Sequence, residues 1–299
     1  MDNVINRLQD EIHKIGGKIK VLPISVLQSL QLEWDYSLKD LSGSMMYQQM
    51  LDRYFDFNLE HINSLIIIAL PSPPTFIEVE KDGVIIEADI PPIYYKRDQQ
   101  LCDIKNIVEE IFVPNNLHSY PVVLPKKMVG GISGFGKYGR NNLLYVEGMG
   151  TCHRLTVFAS NMISTEEVPL VGTMRLERCE KCRVCMTQCP TGAIRRDQER
   201  IDWDRCITFY NETEGEFPDW IKEEFHNCII GCNYCQVKCP ENNGLWNRER
   251  IGRLTAQETQ EVLMNKKFEE LAQPLQEKLI EWNLNRYYPM LSRNLYLLL

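Results

Sequence analysis

Apolar residues near the start of the chain recur at helical spacing. Val4, Ile5, Leu8 and Ile12 are interleaved with Asp2, Arg7, Asp10 and Glu11 and precede Gly16-Gly17, the pattern of an amphipathic helix with a glycine stop. Ser64 to Leu70 is a continuous apolar run closed by Pro71, Pro73 and Pro74, which predicts a buried strand. Thr75 to Glu80 and Val84 to Ala88 alternate in polarity around Lys81-Asp82-Gly83 and predict a hairpin with the Asp-Gly pair in its turn. Between Asp98 and Ile111, Leu101, Ile104, Ile107, Val108 and Ile111 form a helical stripe suited to packing on a sheet. Leu143 to Val146 and Leu155 to Ala159 read as two further strands.

This first stretch is an α/β unit, and Ile163 to Val171 is polar enough to bound it. A cysteine-rich, loop-heavy module follows to about residue 245. Thr255-Ala256-Gln257-Glu258 then has the form of a capping box. Val262, Leu263, Phe268 and Leu271 predict one helix running to Pro274, with a second helix after it. The expected domains are 1–170, 171–246 and 247–299. No apolar run approaches the roughly 20 residues of a membrane span, and acidic residues interrupt the N-terminal apolar positions as no signal peptide would allow. A cytoplasmic setting is the expectation.

Eleven of the 299 residues are cysteine, and eight of them fall into a pattern with chemical meaning. The first run is Cys179-x2-Cys182-x2-Cys185-x3-Cys189-Pro190, and the second is Cys232-x2-Cys235-x3-Cys239-Pro240. Three thiolates at two-residue spacers wrap one 4Fe-4S cluster, while the cysteine before proline serves the other. Cys179, Cys182 and Cys185 therefore take Cys239 as partner, and Cys189 joins Cys232 and Cys235. That leaves one place open; Cys206 is the best candidate, and Cys228 is a competitor. Zinc ribbons use paired CxxC knuckles, so the triple run with its Cys-Pro ending selects iron-sulfur over zinc. The two half-motifs are the chain's one internal repeat. Thiols in this number without an export signal point to a reducing compartment and to metals rather than disulfides. The remaining cysteines, Cys102, Cys152 and Cys228, read as small buried apolar residues.

Charge narrows the picture a little. With 33 Lys+Arg against 41 Asp+Glu the formal net charge is −8, which counts against a general nucleic-acid binder. Arg175, Arg178, Lys181, Arg183, Arg195 and Arg196 nevertheless surround the first cysteine run. There they offset cluster and thiolate charge or dock an acidic electron donor.

Gly134-Phe135-Gly136-Lys137-Tyr138-Gly139-Arg140-Asn141-Asn142-Leu143-Leu144 is the other informative segment. Its GxGxxG spacing lacks the preceding strand and following helix of a dinucleotide site. Together with the cysteine runs and Arg205-Cys206-Ile207, it resembles the epoxyqueuosine reductase family, which is related to the iron-sulfur and corrinoid part of reductive dehalogenases. The family's GLGxxG(K/R)N-x-LL segment is matched by Gly134 to Leu144. Its CGxCxxCxxACPTGAI run is matched by Cys179 to Ile194, its RCIS by Arg205 to Thr208, and its GCxxCQxxCPxN by Gly231 to Asn242. The terminal RRN-x-L is echoed by Arg293, Asn294 and Leu295.

The resemblance implies an α+β architecture: a nitroreductase-like α/β domain with an inserted or appended two-cluster ferredoxin-like module and C-terminal helices. It implies a cobalamin near Gly134, Gly136, Gly139, Arg140, Asn141 and Asn142, reduced by electrons from the clusters. It also implies the same ligand sets, Cys179, Cys182, Cys185 and Cys239 for one cluster and Cys189, Cys206, Cys232 and Cys235 for the other. The family's D-[ST]-x-P segment carries an acidic proton donor, and here His118-Ser119-Tyr120-Pro121 puts an imidazole in that place. Imidazole can also donate near neutral pH, so His118 is the catalytic candidate; Tyr95 and Lys96 of Tyr94-Tyr95-Lys96-Arg97-Asp98, where the family has a segment leading into a helix beside the corrinoid, are further donor candidates. Partners expected are an electron donor such as ferredoxin or flavodoxin, a small or modified-nucleoside substrate and, less readily given His118 and the charge, tRNA. The alternative is a two-cluster electron-transfer protein with no corrinoid of its own.

Overall fold

The computed structural model describes residues 2–38, 60–164, 174–197 and 200–299. The elements run α1 (Asp2–Lys14), β1 (Lys18–Pro23), α2 (Val26–Leu38), β2 (Ser64–Pro71), β3 (Thr75–Lys81), β4 (Val84–Ile90), α3 (Arg97–Phe112) and β5 (Ser119–Pro121). There follow α4 (Lys126–Ile132), β6 (Lys137–Tyr138), β7 (Leu144–Tyr145), β8 (His153–Ser160), α5 (Val184–Gln188), α6 (Ile207–Asn211) and α7 (Tyr234–Val237). Last come β9 (Glu249–Leu254), α8 (Ala256–Leu263), α9 (Gln273–Glu281) and α10 (Tyr288–Tyr296). Helix and sheet are mixed, as the α+β expectation holds. Among the described residues no helix is long and apolar enough to cross a membrane.

The chain divides into two units, Met1–Pro71 with Gln99–Lys181, and Ser72–Asp98 with Cys182–Leu299. The first is built on an antiparallel sheet of order β1-β2-β8-β5. The run that predicted a strand is β2, and its unbroken apolarity has a direct cause. Ile66, Ile68 and Leu70 pack with Val21 and Phe158 against α1 and α3, through Leu8, Ile12, Ile104, Val108, Ile111 and Phe112. Leu65, Ile67 and Ala69 face the other way, toward α2 and α4 through Val26, Leu30, Val129 and Ile132. Side chains alternate along a strand, so a sheet covered on both faces needs an apolar residue at every position. Each such Ile or Leu contributes about 2 kcal/mol by its removal from water.

The second unit holds a three-stranded sheet, order β4-β3-β9. The hairpin is as expected, with Asp82 (φ 51°) and Gly83 (φ 79°) left-handed in the turn, the conformation a two-residue type I′ loop requires. What the pattern did not reveal is its partner. β3 pairs in parallel with β9, a strand not expected from the sequence. That pairing carries 72–98 into the C-terminal unit, away from the contiguous first domain expected. The expected boundary at 163–171 falls mostly outside the described residues. Ile77, Val79, Ala88, Ile90 and Leu254 form the sheet's inner face against Val262, Leu275, Leu279, Leu291 and Leu295 of α8, α9 and α10. On the outer face Arg248, Arg250 and Arg253 of β9 and its lead-in pair with Glu87, Glu78 and Glu80 at 2.7–2.8 Å.

Two further expectations need correcting. Leu143 to Val146 yields only the two-residue β7. The helix expected to continue to Pro274 ends at Leu263, because Asn265 turns left-handed (φ 51°). Pro274 instead lies in the first turn of α9, where a missing N–H costs nothing. The Thr255 capping box forms in full.

Candidate metal centre

The two half-motifs fold alike. In each, a residue with nearly the same backbone conformation precedes a single helical turn: Arg183 (φ −128°, ψ 1°) before α5 and Asn233 (φ −122°, ψ 1°) before α7. Each turn delivers its last cysteine in extended conformation, Cys189 at φ −73°, ψ 111° and Cys239 at φ −68°, ψ 126°. The proline that follows forces this, because its Cδ excludes the helical region for the residue before it. The helices α5 and α7 pack on one another.

Cys189, Cys206, Cys232 and Cys235 converge. Burial pushes the Cys232 thiol up to about 12, and the neighbouring Cys206 and Cys189 add to the shift. Cys235 is held well above the ordinary thiol range by burial and by Cys232, Cys206, Cys185 and Cys189. Cys206 is raised by burial, with Cys189 contributing. Burial and mutual proximity thus hold the thiols of Cys206, Cys232 and Cys235 in their protonated form, and metal binding removes such protons. The donor set is sulfur throughout, which suits an iron-sulfur cluster. Cys228 is fully buried, and its sulfur feels Cys232 and Asp89. All eight motif cysteines are half-buried. Cys152 and Cys228 are buried as expected, whereas Cys102 is exposed on α3, a correction to its assignment as an interior residue. Among the described residues no three His, Cys, Asp or Glu side chains gather tightly enough for a single metal ion.

Loops without ladders need other partners for their backbone groups, and here buried amides supply them. Asn211 Nδ2 donates to the Gly231 carbonyl at 2.6 Å, next to Cys232. Asn294 Nδ2 of α10 donates to the Asn211 carbonyl at 2.9 Å and the Ile229 carbonyl at 3.0 Å. Arg293 donates to the carbonyls of Tyr210, at 2.7 Å, and Gly215. Arg205 Nε holds the Thr191 carbonyl at 2.7 Å, and Asn233 Nδ2 donates to Asp89 at 2.9 Å. Ile229 and Ile230 sit in the core of the unit and anchor the second cysteine run from behind. Sequence reading passed over Asn211 and Asn233. Asn294 was visible as a motif letter, but its work was not.

Cys179 lies in a 3-10 turn, Glu177–Glu180, of the first unit. Arg140 donates to its carbonyl through Nε at 3.3 Å and Nη2 at 2.9 Å. The segment leading to it is bridged to β6: the Tyr138 N–H donates to the Met174 carbonyl at 2.8 Å and the Leu176 N–H to the Tyr138 carbonyl at 2.9 Å. The glycine segment packs on itself. A Cβ on Gly136 would meet the Tyr145 carbonyl at 2.7 Å, and one on Gly139 would strike the Tyr145 ring and Asn141 Oδ1. Asn141, buried, donates to the Tyr145 hydroxyl at 2.9 Å, and Asn142 is left-handed (φ 59°) with its carbonyl held by Lys127 at 3.1 Å. Gly134, exposed with φ 66°, is the least crowded of the three, a Cβ there meeting only Met174 Cε at 3.9 Å.

The catalytic candidates are placed as follows. The His118 side chain is exposed just ahead of β5, in the first unit. Its N–H donates to Asn161 Oδ1 at 2.8 Å, and its carbonyl accepts from the Asn161 N–H at 3.3 Å. In the second unit Tyr95 is half-buried, and Lys96 adopts a left-handed φ of 52° with its Nζ 5.1 Å from the Tyr95 ring centre.

Residues 178–242 match the family model of the 4Fe-4S double cluster binding domain. The class is thus an iron-sulfur protein with a module for two clusters. The chain is also a relative of the epoxyqueuosine reductases. The enzyme of that name from Staphylococcus aureus is 30% identical over 123 residues, 41% of this chain and 31% of its own length. The chain spans less than half the length of the curated relatives it matches. In fold it resembles the epoxyqueuosine reductase from Streptococcus thermophilus, with a TM-score of 0.68 at 18% identity over 99% of this chain and 80% of that one. It also resembles an epoxyqueuosine reductase solved with an epoxyqueuosine-modified tRNA-Tyr stem loop, with a TM-score of 0.64 at 20% identity over 99% and 80% of the two chains.

Proposed function

We propose that this chain is a cytoplasmic reductase that passes single electrons through two 4Fe-4S clusters to a cobalamin and reduces a small or nucleoside-like substrate, in chemistry similar to that of epoxyqueuosine reductase. The observation that carries the reading is the convergence of Cys189, Cys206, Cys232 and Cys235 inside the double-cluster module. Cys179, Cys182, Cys185 and Cys239 hold the other cluster in this reading. The first unit takes the place of the nitroreductase-like corrinoid domain. Cobalamin, when bound, supplies a metal centre able to deliver two electrons to carbon. Of the glycines, Gly134 offers it the least crowded backbone, while the space at Gly136 and Gly139 is taken by Leu144, Tyr145 and Asn141. Arg140, Asn141 and Asn142 then shape the segment rather than leave it free to move.

The chain's own residues have defined tasks in this scheme. His118 presents an exposed imidazole whose main chain is clamped on both sides by Asn161, and it donates the proton the reduced substrate needs. Tyr95 and Lys96 are further donors, the strained backbone of Lys96 being of the kind found at functional sites. Exposed Arg175, Arg178 and Lys181 flank Cys179 and offer a basic face to an acidic one-electron carrier of the ferredoxin or flavodoxin type. A structural neighbour was solved with an epoxyqueuosine-modified tRNA stem loop, so a modified nucleoside of that kind is the first substrate to try.

The filled space at Gly136 and Gly139 favours a second reading, a two-cluster electron carrier without corrinoid. Anaerobically reconstituted protein titrated with cobalamin separates the two. A shifted corrinoid spectrum, with turnover lost in His118→Ala and retained in His118→Asp, is expected of the reductase. Unperturbed corrinoid bands alongside reducible clusters assign the carrier role.

A further inference from the structure

We infer that Asn294 and Asn211 form a positioning relay that holds the second cluster's ligands in register, with α10 acting as its fixed end. This rests on the proposed ligand set Cys189, Cys206, Cys232 and Cys235. Cys206 and Cys232 are far apart in sequence, and each sits at the end of a segment with few ladder bonds of its own. Cys206 opens the five-residue helix α6, which ends at Asn211. Cys232 follows Ile229, Ile230 and Gly231, and Gly231 is left-handed at φ 66°. One side chain joins the two segments to a third. Asn294, 1% exposed, donates one amide hydrogen to the Asn211 carbonyl and the other to the Ile229 carbonyl. Asn211, fully buried, passes the link on to the Gly231 carbonyl.

An Asn amide has two donors in one plane, and both are spent on main-chain carbonyls. Apolar contacts could fill the same space but would not fix which carbonyl meets which segment, since dispersion is non-directional. Leu291 and Leu295 on the same helix lie in the core of the unit and keep its position independent of the metal. The relay is therefore rigid at one end and points at the ligand loops at the other. Asn294 and Asn211 touch no sulfur, and they act on the cluster through the backbone of its ligands.

The test compares iron content and the electron paramagnetic resonance of the reduced clusters in anaerobically reconstituted full-length variants. Asn294→Ala is expected to fall from about eight irons to about four, with one of two reduced-cluster signals gone and the circular dichroism of the sheet retained. Combining it with Cys206→Ala should remove nothing further, because both act on one cluster. Combining it with Cys179→Ala should empty the protein. Eight irons and unchanged signals in Asn294→Ala overturn the relay, as does further loss in the pair with Cys206→Ala. Should Asn294→Ala not fold, Asn211→Ala leaves α10 and its packing untouched and is read the same way. Loss of the sheet in both variants also overturns the inference, since support confined to the cluster loops leaves the sheet in place. A wild-type chain that never holds about eight irons instead defeats the two-cluster reading itself.

Discussion

The guanidinium of Arg140 closes on the carbonyl oxygen of Cys179, with Nη2 at 2.9 Å and Nε at 3.3 Å. The arginine of the glycine segment thereby grips the backbone of the first motif cysteine, and a charged donor makes such a bond stronger than a neutral one. Arg140→Ala should lose its first cluster in air several-fold faster than wild type, followed by the bleaching of visible absorbance. Arg140→Lys should rescue only part of this, because an ammonium lacks the planar fork. Equal bleaching rates in all three proteins would remove Arg140 from the support of Cys179.

Cys206 and Cys228 compete on paper for one ligand place. Cys206 interacts with Cys189 as well as Cys232, whereas fully buried Cys228 feels Cys232 and Asp89, whose strand it meets in a parallel bridge. Cys206→Ala should therefore halve iron content from about eight to about four, and Cys228→Ala should keep it. The opposite ranking by iron analysis would exchange their roles.

His153 is buried in β8, and Nε2 meets the Leu144 carbonyl at 3.0 Å. Burial drives its pKa down to about 4. The unfolded chain, with an ordinary histidine near 6.5, takes up a proton that the folded chain refuses. Stability from this residue is thus full above about pH 6.5 and declines as pH falls toward 4, by about 3 kcal/mol in all. His226, also buried and lowered to about 4, acts in the same direction. Denaturant midpoints of the metal-free protein at pH 7 and pH 5 should differ accordingly, and His153→Gln should flatten the slope. An unchanged slope in that variant would show that other groups set the acid limit.

Gly252 of β9 lies against Trp282, and a Cβ there would overlap the indole ring. Gly252→Ala should cost about 1–3 kcal/mol through overpacking, visible as a lower melting temperature. Arg250→Ala, which removes an exposed partner of Glu78, should leave the melting temperature nearly unchanged, because water screens such a pair. Equal losses would mean that the outer ion-pair ladder, not the packing beneath it, holds β9 in place.

Local patterns were legible wherever short-range physics decides. The spacing of Val4, Leu8 and Ile12, the Asp82-Gly83 turn and the Thr255 cap each rest on contacts within a few residues, and each stands in the structure as the sequence foretold. Pro274 was misread because proline breaks a helix interior yet opens a first turn, and only the path of the chain tells which.

The sequence by itself determined which residues offer sulfur, and that two runs share the labour, because ligand spacing is a local property of the backbone. Tertiary structure alone decided that β9 would pair with β3 and that Asn294 would meet Asn211. Those meetings bring together residues tens of positions apart. They are selected by the burial of whole faces, and no local periodicity encodes them.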